Sequence, residues 1–235
     1  QVAREAEQGD RHVRDAFHHG RLVGDRGGHG ARGGGGGLVR RADGARGADR
    51  VAALAAELGE AALAVPGDVA DFAAQEAAVT RAVAQFGALH AAFANAGRGI
   101  DRPGTEEGDP EEWRQVVDAN IMGVLYTAKA ALPELRKTKG HLLLTGSAAG
   151  RRHITGSIYG ATKWFVHGYA GNMSEEMRGW GGRCTLIAPG MVDTPFFDTP
   201  KPDKLQPEDV AAAVMYALGQ DPRAEVREVF VMPTG

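Results

Sequence analysis

The chain is short of several things, and each shortage excludes something. It has a single cysteine, Cys184, so no disulfide can form within it, and a reducing, cytoplasmic setting is the simplest expectation. It has little net charge. The 27 Lys and Arg against 30 Asp and Glu leave −3 at neutral pH, which removes the electrostatic case for a nucleic-acid or anionic-membrane partner. No apolar run approaches the ~20 residues that span a bilayer, and no signal-peptide pattern opens the printed residues. His141, His153 and His167 stand at no metal-ligand spacing from Cys or carboxylates, so they are expected to be structural and no metal is expected. What remains is 235 residues, 43% hydrophobic and 24% charged, which suits one globular domain with a single core.

Helices and strands alternate along the chain. Residues 51–58 predict a helix, 61–65 a strand with a Pro-Gly-Asp exit, 71–86 a helix and 89–94 a strand ending at Asn95. Asp109, Pro110 and Glu112 predict a capped helix start, with Glu112 as the capping-box acid, and that helix should run to about residue 135. Strands follow at 141–145, 183–188 and 227–232, with helices at 157–178 and 207–219. The apolar runs are continuous, which indicates a parallel sheet covered on both faces. The expected fold is α/β, a single Rossmann-type, doubly wound parallel sheet with helices on both faces. Its ligand crevice should lie at the carboxyl ends of the strands.

The unusual residues collect at that edge. Asp68, Asn95, Ser147 and Pro189-Gly190 each follow a strand. In SIYGATK (157–163), Tyr159 and Lys163 are four apart and share a helix face. A free phenol, with a pKa near 10, is a poor acid-base group at neutral pH, and an ammonium one turn away should lower it. Ser147 can face the tyrosine if the chain turns back at Gly156. The group would then offer a proton and a hydrogen bond to a carbonyl oxygen gaining charge.

Asn95-Ala96-Gly97, Asn120, Ser147, Tyr159-Gly160-Ala161-Thr162-Lys163 and the segment from Pro189 to Thr194, in this order, resemble the short-chain dehydrogenase/reductase family over roughly residues 48–235. The resemblance implies an NAD(P)-dependent oxidoreductase that interconverts a carbonyl and an alcohol by hydride transfer. It implies that Tyr159 is the general acid or base, that Lys163 lowers its pKa and holds the nicotinamide ribose, and that Ser147 steadies the substrate oxygen. It further implies that Asn120 kinks its helix and holds a relay water, and that Asp68 and Val69 flank the adenine. Asn95, Ala96 and Gly97 would line the cofactor, Pro189-Gly190 would turn beside it, and Val192 and Thr194 would grip the carboxamide. The substrate would be a small molecule and the assembly a homodimer or homotetramer on the long helices. Phe196 and Phe197 would either wall a substrate pocket or anchor their loop. Arg40, Arg41, Arg46 and the REVFVMPT end lean towards NADP over NAD, the latter through likeness to the serine dehydrogenase-like branch.

One stretch departs from the pattern. Residues 18–37 read HHGRLVGDRGGHGARGGGGG where the family places T-G-x-x-x-G-x-G, whose glycines let backbone approach a pyrophosphate. Gly20 and Gly24 match two of the glycines, but Arg26 stands at the third and His19 at the threonine. Codons compatible with residues 18–30, read one base on, encode TTGASSGIGAAT, which contains the loop. A reading-frame slip across about residues 10–47 is therefore one expectation, with the family register resuming near residues 46–51. A genuine Gly/Arg-rich arm, leaving a catalytically inactive scaffold, is the alternative. Its mixed charge and lack of aromatics speak against a nucleic-acid arm.

Overall fold

The computed structural model describes residues 36–40, 52–53, 55–56, 58–194, 196–197 and 199–235. Gly20, Gly24, Arg41, Arg46 and most of the suspected frame-slip stretch lie outside the described residues. Among the described residues six parallel strands carry the fold: β1 (Gly36–Arg40), β2 (Ala62–Pro66), β3 (Ala91–Ala94), β4 (His141–Thr145), β5 (Arg183–Pro189) and β6 (Glu228–Val231). β1 pairs with β2, and β3 to β6 form a second sheet in simple order. The helices are α1 (Phe72–Phe86), α2 (Pro110–Val117), α3 (Gly123–Thr138), α4 (Ile158–Arg178) and α5 (Pro207–Leu218).

The continuous apolar runs have the expected cause. Alternate residues of one strand enter two different cores. Ala92, Ala94, Leu142, Leu144, Leu186 and Ala188 join residues of α1, α3 and α4. Ala91, Phe93, Leu143 and Ile187 join Val210 and Val214 of α5 on the opposite face. Both faces are therefore dry, and no position along β4 or β5 can be polar without a partner. The one buried histidine there, His141, is 2.7 Å from the Thr185 hydroxyl through Nε2, and burial pulls its pKa down to about 3. It is neutral and structural, as expected.

Local chemistry sets the element ends. Asp71 accepts from the N–H groups of Ala73 and Ala74 at 2.9 and 3.3 Å, capping α1, and Asp109 accepts from Glu111 N–H at 2.9 Å, capping α2. Glu112 does not close the expected capping box. Its carboxylate accepts from the N–H groups of Asp101 and Arg102, because the loop before α2 folds back over the helix start. The long helix expected from 109 to 135 is interrupted by a π-helical turn at Asp118–Met122, which holds Asn120.

β1 falls in a stretch, residues 20–47, whose composition has no apolar period. Gly36–Arg40 nevertheless lies in register with Ala62–Pro66, Leu38 opposite Ala64 and Val39 opposite Val65. A neighbouring strand supplies what composition does not, since ladder pairing outweighs intrinsic preference.

Candidate active site

The carboxyl ends of β3, β4 and β5 deliver Asn95, Ser147 and Gly190 to one edge, as the sequence pattern requires. Thr145, the last residue of β4, ties two of the candidates together. Its hydroxyl donates to Asn95 Oδ1 at 2.7 Å, and its carbonyl accepts from Lys163 Nζ at 2.8 Å. Lys163 is 5% exposed, and burial pushes its pKa down to about 8. Among the described residues, the Thr145 carbonyl is the one hydrogen-bond acceptor found for this ammonium, which has three N–H bonds to give.

Tyr159 and Lys163 share a face of α4, and the ammonium stands 5.8 Å from the phenol ring centroid. The Ser147 side chain is near enough to the Tyr159 phenol to favour its phenolate. Ser147 Oγ also accepts from Ala149 N–H at 3.1 Å, which occupies a lone pair and leaves the O–H to donate. The expected acidification of Tyr159 by Lys163 is not found. Burial is the leading influence and raises the phenol pKa, while the Ser147 side chain pulls it back. The ammonium is turned to the strand end, so the serine is the group that favours the phenolate.

The turn joining Ser147 to α4 is the expected one. Gly156 has φ +62°, its carbonyl accepts from Gly104 N–H at 3.0 Å, and a Cβ there would meet Gly104 Cα at 2.5 Å. Ser157 then caps α4 by accepting from Gly160 N–H at 2.9 Å.

Asn120 is fully buried. Its amide donates to Arg98 O and to Thr162 Oγ1, both at 3.0 Å, and its Oδ1 accepts from Arg98 N–H at 2.9 Å. It fastens the 97–98 loop to the π turn. Both amide N–H bonds are thus used within the protein, so any relay water would have to meet Oδ1. Beside it, a Cβ on Gly97 would stand 3.0 Å from Asn120 Oδ1 and 3.6 Å from Lys163 Nζ.

The remaining candidates occupy the rim. Asp68 is exposed and accepts from Ala70 N–H at 3.0 Å. Val69 is buried, and its carbonyl accepts from Gln75 Nε2 at 3.4 Å. Ala96 follows Asn95 on the same loop, partly buried. Pro189 ends β5, and Gly190 N–H donates to Val231 O at 2.7 Å. Leu205 bonds the carbonyl of Met191 and the N–H of Asp193, so the N–H and C=O of Val192 stay outside that ladder. Thr194 Oγ1 accepts from Phe196 N–H at 3.4 Å. The Phe196 ring lies 5.6 Å from that of Tyr159 and within 3.1 Å of where a Gly99 Cβ would be. That position beside the phenol favours the wall over the loop-anchor reading of Phe196.

Three residues of this site carry no sequence signal as functional: Thr145, Thr162 and His167. Thr162 stands inside the Y-G-A-T-K motif, but only the fold shows that it joins Asn120 to Tyr159 O, to which it donates at 2.7 Å. Among the described residues no cluster of three His, Cys, Asp or Glu could hold a metal, and no helix is long and apolar enough to cross a membrane.

Residues 39–204 match the family model for short chain dehydrogenase, so the match begins on β1 and not near residue 48. An uncharacterised oxidoreductase of Staphylococcus aureus is 38% identical over 174 residues, 72% of this chain and 75% of that protein. Serine dehydrogenase from Escherichia coli aligns with a TM-score of 0.72 at 28% identity, covering 83% of this chain and 84% of that one. Alcohol dehydrogenase from the archaeon Thermococcus sibiricus, complexed with 5-hydroxy-NADP, aligns with a TM-score of 0.78 at 25% identity, covering 95% and 91%.

Proposed function

The chain belongs to the short-chain dehydrogenase family, and from that premise we propose that it interconverts a carbonyl and an alcohol with NAD(P)(H), using Ser147, Tyr159 and Lys163. The observation that carries this reading is the Ser147 side chain acting on the Tyr159 phenol at a strand end, on the helix that also carries a buried ammonium with donors to spare.

That ammonium also supports the cofactor. A buried cation with one neutral acceptor is costly unless further acceptors complete its shell, and the vicinal hydroxyls of a ribose fit. A Cβ at Gly97 would stand 3.6 Å from the ammonium, so the glycine keeps a side chain away from it. Lys163 would hold the ribose, Val192 and Thr194 the carboxamide, Asn95-Ala96-Gly97 and Pro189-Gly190 the cofactor flank, and Asp68 with Val69 the adenine. When bound, the cofactor supplies or removes the hydride. In carbonyl reduction, the Tyr159 O–H gives its proton to the substrate oxygen while the Ser147 O–H hydrogen-bonds that oxygen. In alcohol oxidation, the Tyr159 oxygen takes the proton back.

NADP is the favoured partner. Arg40 ends β1 opposite Pro66, at the edge where family members meet the adenosine ribose. The substrate is a small carbonyl or alcohol bounded by Phe196, the enzyme is cytoplasmic, and it assembles as a homodimer or homotetramer along α2, α3 and α4. A panel of carbonyls followed by NADPH oxidation tests the reaction. Absence of turnover with every member, together with absence of NADPH and NADH binding by fluorescence, would overturn it.

A second reading is favoured by His19 and Arg26, which replace the threonine and third glycine of the expected loop. In that reading the polypeptide is an inactive scaffold that binds neither dinucleotide. Sequencing the coding DNA across codons 10–50 separates the frame slip from a real arm, since an unambiguous match to the printed residues removes the slip.

A further inference from the structure

His167 lies one turn beyond Lys163 and two beyond Tyr159 on α4. Its Nε2 is 3.0 Å from the Ser147 carbonyl oxygen and 3.4 Å from the Ser147 amide nitrogen; the shorter contact is to an acceptor, which assigns the proton to Nε2. The Ser147 loop is built around this ring. A Cβ on Gly146 would come within 2.8 Å of Nε2, and one on Gly150 within 2.6 Å of the ring. Ser147 O accepts a second hydrogen bond from Gly150 N–H at 2.9 Å. The charged groups that act on the ring come from three elements: Glu228 of β6, Arg151 of the turn after Ser147, and Lys163 of α4. Arg151 and Glu228 are themselves ion-paired.

We propose that His167 is a positioning residue: its Nε2–H holds the Ser147 carbonyl and so sets the angle at which the Ser147 hydroxyl meets Tyr159. The proposal rests on the proton-transfer role given to those two residues. Both the cation and the Nε2–H tautomer carry the needed donor, so the hold does not depend on the charge of the ring. A ring that only filled space between two glycines would be replaceable by any side chain of its volume. A ring that acts through its N–H is not.

The test needs neither substrate nor cofactor. In protein labelled with ¹³Cζ-tyrosine, the Tyr159 resonance is assigned with Tyr159→Phe, and Ser147→Ala gives the shift for complete loss of the serine hydroxyl. His167→Leu, which has no donor, should move the resonance at least half of the way to the Ser147→Ala position. It should also speed hydrogen exchange at the Gly150 amide. His167→Gln, whose amide nitrogen reaches the place of Nε2, should stay near the wild type. His167→Asn, whose amide is one bond shorter, should behave like His167→Leu and serves if the leucine variant does not fold. A wild-type resonance in both the leucine and the asparagine variants, or failure of glutamine to restore it, overturns the proposal. NADPH fluorescence on the wild type judges the dehydrogenase reading separately. Where a panel carbonyl is reduced, kcat of His167→Leu should fall about tenfold with the NADPH Kd unchanged.

Discussion

The floor of the site and its cover are built differently. The floor is β4, the turn after it, α4 and the π turn at Asp118–Met122, where Lys163, Thr162 and Asn120 are buried and hydrogen-bonded to one another or to backbone. The cover is the segment after β5, where Met191 and Phe196 are 41% and 45% exposed. Among the described residues, it meets the floor through an aromatic contact with Tyr159, not through hydrogen bonds. Side chains with directed partners on a packed helix have few alternative positions, whereas a half-exposed aromatic can move at little cost. The difference teaches where chemistry and selectivity should separate. Proton transfer needs fixed geometry and belongs to the floor. Substrate fit tolerates adjustment and belongs to the cover.

The sharpest way to break this division is Tyr159→Phe. Turnover should fall by about 10³-fold while the NADPH Kd, read by fluorescence, stays within about twofold. Activity surviving in this variant would remove the floor from the chemistry. Next in size is Lys163. Its pKa is about 8 in the folded protein against the ordinary 10.5. Below pH 8 both states are charged and the fold bears the full burial penalty. As pH rises towards 10.5 the unfolded chain keeps the proton longer, and the penalty is lifted. Lys163→Met should therefore be more stable than wild type at pH 7 by about 3 kcal/mol at most, an advantage that shrinks towards pH 10. Urea unfolding of both proteins without cofactor measures it, and a constant difference across that range would contradict the buried ammonium. The same variant should bind NADPH more weakly.

Asn120→Ala should cost about 1–3 kcal/mol in urea unfolding, because Arg98 N–H, Arg98 O and the Thr162 hydroxyl all lose a partner inside the protein. The smallest effect is expected at the cover. Phe196→Ala should change KM severalfold with kcat nearly unchanged, in initial-rate measurements on any panel carbonyl that is turned over. A collapse of kcat there would erase the distinction between the two regions.

How much of this was legible in the sequence differs residue by residue. Tyr159 and Lys163 could be paired from spacing alone, because a helix places i and i+4 together whatever surrounds it. The strands could be found because both their faces are dry. Asp109 was read correctly as a cap, since the N–H it satisfies is two residues away. Glu112 was not, since its real partners belong to a loop ten residues earlier. Thr145 reads as the last letter of a strand, and its double role exists only because Asn95 and Lys163 arrive from other elements. His167 meets Ser147 twenty residues away in sequence. β1 was hidden because glycine-rich composition says nothing of the strand that will pair with it.

By itself, the order of residues determined the alternating elements, the edge at which polar groups collect and the shared helix face of the phenol and ammonium. These follow from interactions within a few positions of the chain and from the two burial periods. The tertiary structure alone decided which way the ammonium turns, what Asn120 fastens, and that burial leads in setting the phenol's acidity. Those outcomes depend on desolvation and on partners brought from distant segments, and neither quantity exists until the chain has packed.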